Sequence, residues 1–178
     1  TASAVYRAYV RQIGAGAVAA GGFITLIKTI PTIVSSFKES VASMKEKGEA
    51  VVSRTENDLS FKVVIAGSIG LVLLMAFLPQ IPGDSILNKL LIGVLVVVFG
   101  FFFVTVSSRI VGIIGSSNNP ISGMTVATLL ITCGLFVLLG WTGVDYKAMA
   151  LTTAALVCVA ASNGGTISQD LKTGYLVG

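Results

Sequence analysis

Asp170 and Lys172 stand beside Gln169 and Thr173 in the string ASNGGTISQDLKTGYLVG, residues 161–178, which follows the apolar run Ala148 to Ala160 with no loop between. A charge placed at the centre of a membrane-spanning helix costs about 2.5–3.5 kcal/mol on insertion scales, so an ionisable residue there points to function. Asp170 can exchange a proton if its carboxyl is desolvated, and Lys172 can hold an anionic group as a compact point charge. Asn163, Gly164, Gly165, Thr166, Ser168, Gln169, Thr173 and Tyr175 extend the feature into a polar interruption of the apolar sequence. A purely structural ion pair, Asp170 with Lys172 or with Arg109, is the competing reading.

A second polar string, RIVGIIGSSNNPISG, spans Arg109 to Gly123. Asn118 and Asn119 can each donate and accept, which suits a peptide bond or a ligand carboxylate. Pro120 frees a carbonyl, Gly123 permits close backbone approach, and Ser122 adds a hydroxyl. If Pro120 opens the next helix, that N-terminus also offers unpaired backbone donors to an anion. A plain turn between two spans accounts for the same residues, since Asn-Pro and Ser-Gly are common turn dipeptides.

The elements that must hold these strings are membrane helices. Of the 178 residues, 54% are apolar and 11% charged, with a mean hydropathy of +0.91; an ordinary soluble domain carries about a quarter charged residues. Charge is absent from Val63 to Gly83 (21 residues), Leu90 to Ser108 (19), Ile110 to Val144 (35) and Ala148 to Gln169 (22), and about 20 apolar residues cross a bilayer as a helix. Barrel strands alternate apolar and polar residues, whereas LIGVLVVVFGFFFVTV is apolar on every side. Backbone groups must be paired inside lipid, which leaves helices. The expected fold is therefore all-α: a polytopic transmembrane bundle of about five segments, with broken or re-entrant helices, in a single membrane domain over residues 1–178.

Along the chain, Ile13 to Ile27 is apolar and rich in small residues, and Lys28 and Pro31 interrupt it. It reads either as a tightly packed kinked helix or as a broken helix lining a pathway. Residues 38–60 carry five acidic and four basic residues and read as a charged extramembrane loop, placed in the cytoplasm by the positive-inside rule. Phe61 to Leu78 is a span closed by LPQIPGD, a turn that makes it an antiparallel neighbour of Ser85 to Ser107. Ile110 to Gly123 is a candidate for entering without crossing. Met124 to Trp141 is a further span, with Trp141 and Tyr146 at headgroup level, and Lys147 starts the last apolar run.

Several functions are disfavoured. The 12 basic residues are dispersed through the chain, unlike a nucleic-acid footprint. There is no histidine, and Cys133 and Cys158 sit singly in apolar runs, so no protein-ligated metal or other cofactor is expected. No nucleophile stands near an evident base, which argues against an enzyme.

The segment SQDLKTGYLVG resembles the hallmark string of the oligopeptide transporter (OPT) family, in its bacterial and yellow stripe-like members. The pattern falls on Gln169, Asp170, Leu171, Lys172, Thr173, Gly174 and Tyr175. NNPISGMT is similar to the family's Asn-Pro-x-Ser-Gly segment, on Asn119, Pro120, Ile121, Ser122 and Gly123, and RQIGAGAVAAGG with LIKTIP is similar to its glycine-rich span. The resemblance implies a proton-coupled secondary transporter of oligopeptides, or of peptide-like metal chelates, in the bacterial cytoplasmic membrane. Family members are far longer, so the chain is expected to be a fragment that works with the remaining helices of a larger transporter. On this reading Asn118, Asn119, Pro120, Ser122, Gly123, Asn163, Gln169, Lys172, Thr173 and Tyr175 line the substrate path, with Asp170 the proton-coupling residue. The rival is a structural or assembly subunit without transport of its own.

Overall fold

The computed structural model describes residues 61–178 throughout and part of the segment from 2 to 38. In that first segment the chain is helical at Ala2–Val5 and continues as a wider π-helical stretch at Tyr6–Val10. Only part of Ile13 to Ile27 is described, and the charged loop expected at 38–60 lies outside the described residues beyond Lys38.

From residue 61 the chain forms four helices: α1 (Phe61–Phe77), α2 (Ile86–Ile114), α3 (Ile121–Leu138) and α4 (Val144–Val177). No strand occurs among the described residues. Three helices, α2, α3 with its preceding turn, and α4, are long and apolar enough to cross a membrane, and α1 is a shorter apolar helix. At a rise of 1.5 Å per residue, α2 is roughly 43 Å long and α4 roughly 51 Å, against a hydrocarbon core of about 30 Å. The protein is an all-α integral membrane protein.

The helix ends follow local chemistry. Lys89 Nζ donates to the Leu78 carbonyl at 3.0 Å, supplying a partner just after α1 ends. Ser85 is the N-cap of α2, its hydroxyl accepting from Leu87 N at 3.1 Å. Gly115 closes α2 at φ +90°, a conformation that side-chain-bearing residues rarely adopt. A three-residue 3-10 turn, Ser116–Asn118, then leads through Asn119 to Pro120, the N-cap of α3. Pro120 thus precedes the helix by one residue, and the region expected to enter without crossing is the end of α2 joined by a turn to α3.

Packing fixes the topology. Val72 lies beside Gly93 and Met75 clusters with Ile92, so α1 and α2 are antiparallel neighbours, as the short turn requires. Phe103, Val106 and Ile110 of α2 pack with Met124 and Ala127 of α3 and with Val157 and Ala161 of α4. Nearer the other end, Ile92 and Val96 meet Phe136, Met149 and Ala150. The pairings rise together along α2 and α4 and fall along α3. Hence α2 and α4 run parallel, with α3 antiparallel to both. The 78–85 and 139–143 turns share one end, where Trp141 stacks on Tyr146 with centroids 5.2 Å apart and Phe136 lies 5.7 Å from Trp141. The 115–120 turn and the last turns of α4 share the other.

The α1–α2 contact rests on Gly93, where an added Cβ would lie 3.2 Å from Val72 Cα and 3.3 Å from its carbonyl oxygen. Backbone cannot step aside as a side-chain tip can, and overpacking costs about 1–3 kcal/mol. Gly93→Ala is therefore expected to lower the thermal stability of the purified full-length protein that carries these residues; an unchanged melting temperature would show that α1 slides to accommodate the methyl.

Candidate functional site

The two polar strings meet where α2, the 115–120 turn and α4 converge. Ser107 is fully buried on α2, and its hydroxyl donates to the Ala161 carbonyl of α4 at 2.6 Å. With that one proton committed, Ser107 Oγ can only accept, and Asn119 Nδ2 donates to it at 2.7 Å. This fixes the Asn119 amide, because the flipped amide would set two acceptors face to face. Asn119 Oδ1 is consequently turned elsewhere, buried and without a hydrogen-bond partner. One turn further along α4, Ser108 Oγ donates to the Gly164 carbonyl at 3.1 Å and Ser168 Oγ donates to the Ser108 carbonyl at 2.7 Å. Gln169 Oε1 accepts from Ser116 N at 3.1 Å, tying the turn to the helix.

Small residues allow this approach. A Cβ on Gly165 would fall 2.7 Å from both Asn119 Nδ2 and Ser107 Oγ, and one on Gly164 would fall 2.6 Å from Val104 Cγ1. A Cβ on Gly112 would lie 3.0 Å from Ser168 Oγ. The pairs Ser108 and Gly112, Ala161 and Gly165, and Gly164 and Ser168 each repeat a small residue at i and i+4, the spacing that lets membrane helices approach closely.

One expectation is corrected here. Asn163 to Tyr175, read as a polar interruption, is unbroken helix within α4. Gly164 and Gly165 face α2, and two of its hydroxyls fold back on the helix: Thr166 Oγ1 donates to Ser162 O at 3.1 Å and Thr173 Oγ1 to Gln169 O at 2.9 Å. Polar side chains of this kind leave the backbone ladder intact, so polarity alone does not end a helix. The expected break at Asn118 to Pro120 is present, between α2 and α3.

The sequence-predicted residues therefore separate. Asn119 and Gln169 are brought to the junction, and Gly123 is buried at the start of α3. Asn118 and Ser122 are exposed on the turn and the first turn of α3, and Pro120 is half-buried. Asn163, Asp170, Lys172, Thr173 and Tyr175 are exposed on α4, where Lys172 Nζ lies 6.0 Å from the Tyr175 ring centroid. Asp170 has two candidate ion-pair partners in the sequence, Lys172 and Arg109. Residues two apart on a helix point to nearly opposite sides, which rules out the first pair geometrically. Sequence reasoning passed over Ser107 and Ser108, although a serine pair in a charge-free run and the i, i+4 small-residue spacing are its visible signals.

A family model described as OPT oligopeptide transporter protein matches residues 1–178, the whole chain. The chain belongs to the OPT oligopeptide transporter family. A curated protein of Haemophilus influenzae named "Putative oligopeptide transporter" is 31% identical over 194 aligned residues, covering 99% of this chain and 31% of that protein. The chain thus spans about a third of the length of the curated relative it matches. No solved structure matches the chain. Within this OPT segment, the family-like strings occupy one junction and the helix that extends past it.

The Ser107–Asn119 bond is expected to show a coupling of about 0.6 kcal/mol, and no more than about 1.7 kcal/mol, the range found for hydrogen bonds between membrane helices. The measurement is a double-mutant cycle on Ser107→Ala and Asn119→Ala in the full-length protein, read by unfolding in detergent. Additive effects would show that the two side chains act independently. Gly165→Val, which drives a branched side chain into both, is expected to destabilise more than either single change.

Proposed function

We propose that this chain forms part of the translocation path of a proton-coupled secondary transporter that carries oligopeptides, or peptide-like metal chelates, across the bacterial cytoplasmic membrane. Membership of the OPT family over the whole chain supports transport as the activity, and the membrane helices supply the setting. The observation that carries the site reading is Asp170: a carboxylate exposed on an otherwise span-length helix, on the side of α4 away from Lys172. Lys172, Asn118 and Tyr175 are exposed and free to meet cargo, Lys172 as the partner of a substrate carboxylate. Asn119 and Gln169 position the turn between α2 and α3. The chemistry is binding and release, with no catalytic role assigned, and the remaining helices of a longer transporter complete the path.

A second reading, a structural or assembly subunit, draws support from one observation: Asn119 and Gln169 spend their hydrogen bonds inside the chain. It predicts tolerance of conservative changes at Lys172 and no stabilisation by cargo.

Uptake of a mixed short-peptide pool and of chelated iron into proteoliposomes, with and without an inward proton gradient, separates the readings. The full-length protein is expected to accumulate one cargo class only when the gradient is imposed, and Asp170→Asn to lose at least tenfold of that gradient-driven component. Full proton dependence in Asp170→Asn would remove Asp170 from the coupling role, and no accumulation of either cargo by folded protein would favour the structural reading.

A further inference from the structure

One face of α4 changes character part-way along. Leu151, Ala155 and Val159 follow one another at intervals of four, all exposed and all apolar. At about 100° per residue the same face continues through Asn163, Thr166, Asp170 and Thr173, which are likewise exposed but polar. The opposite side of the helix is occupied, since Ala154, Val157, Ala161 and Gly165 are buried. The outward face therefore suits lipid up to Val159 and does not suit it from Asn163 onward.

The hydrogen-bond inventory of the polar half has a sign. Thr166 and Thr173 each spend their single hydroxyl proton on a carbonyl of their own helix. What they offer outward is lone pairs. The Asp170 carboxylate is acceptor-only when ionised, and the Asn163 amide supplies a further carbonyl oxygen. Lys172, the nearest cation in sequence, is about 200° round the helix from Asp170, on the side that continues the α2 seam, and lies 6.0 Å from the Tyr175 ring centroid. The stripe is thus rich in acceptors, negatively charged, and not neutralised from its own helix.

We infer that the stripe Asn163, Thr166, Asp170 and Thr173 borders an aqueous passage and takes the protonated amino terminus of a short peptide. This deepens the transport reading and rests on it. An α-ammonium group brings three donors and a positive charge, the complement of a carboxylate flanked one turn away on each side by hydroxyl acceptors. A peptide's carboxylate finds donors on this face only in the Asn163 amide and, at its border, in the Gln169 amide, whose oxygen already accepts from Ser116 N. The polarity of the stripe thereby sets which end of the cargo approaches α4.

The test places single cysteines at Asn163→Cys, Thr166→Cys and Thr173→Cys, with Ala155→Cys and Val159→Cys as controls on the same face, in a cysteine-free full-length protein. A membrane-impermeant cationic methanethiosulfonate reagent is applied with and without trialanine or N-acetyl-trialanine. Expected are reaction at 163, 166 and 173, little at 155 and 159, and several-fold slowing by trialanine but not by its acetylated form. Competition of the two peptides for uptake by the unmodified protein gives the same comparison without any substitution. Stripe positions that resist the reagent in a protein that still transports would mean a dry contact with another helix, and would overturn the inference alone. Equal protection and equal competition by both peptides would overturn recognition of the amine. No uptake by the unmodified protein, with the stripe still reactive, would instead remove the transport reading and the peptide with it.

Discussion

The parallel contact between α2 and α4 is the constraint on which the rest of the bundle depends. These helices are separated in sequence by all of α3, yet they meet from Ile92 and Met149 at one end to Gly112 and Ser168 at the other. Lipid offers no hydrophobic drive to bring helices together, so close packing and hydrogen bonds must do it. Ser107, Ser108 and Ser168 donate interhelical bonds to backbone carbonyls, and Gly112, Gly164 and Gly165 supply the absence of a side chain where the helices touch. Parallel neighbours also require a return helix between them. That is the role of α3, and it is why the 115–120 turn lies on the seam.

This contact also sorts the polar residues by use. Ser107, Asn119 and Gln169 are committed to holding the turn on α4, and substitutions there act on geometry before they act on any ligand. Asn163, Asp170, Lys172 and Tyr175 are exposed and spent on no such contact. A string that looks uniform in sequence is therefore two things in space: a set of fasteners facing α2, and a set of groups that point away from it or lie past its end. Helical periodicity separates them, because the string runs on through α4 without a break.

Much of this architecture was legible beforehand. Charge-free runs located the spans, and the LPQIPGD turn implied the antiparallel α1–α2 pair, since a proline-containing turn of that length leaves no room for another arrangement. Asn-Pro correctly placed the break before α3. What misled was the run from Asn163 to Tyr175, where three glycines and several hydroxyls imitate a loop. Glycine weakens a helix by about 1 kcal/mol relative to alanine in the open, but at positions 164 and 165 any side chain would collide with α2 or Asn119, so tertiary contact reverses the preference. No local sequence rule carries that information, because Val104 and Ser107 lie more than fifty residues away.

On the proposed transport role, the divergence of Asp170 and Lys172 bears on how a zwitterionic cargo would be held. Were the two on one face, they would neutralise each other, or grip both ends of a very short peptide from a single helix. Set about 200° apart, they cannot do either. Lys172 falls one helical turn beyond Ser168, on the side facing α2, and therefore past the point where α2 ends at Ile114. A cation beyond a helix C-terminus is on the favourable side of its dipole, which gives Lys172 a position that does not depend on Asp170. The two charges are thus free to serve different partners, Asp170 facing outward along the polar stripe and Lys172 on the other side of α4, beside the Tyr175 ring. On that proposed role a cargo bridging both would have to pass around α4, and its length, not the identity of one side chain, would then decide whether both charges are engaged at once.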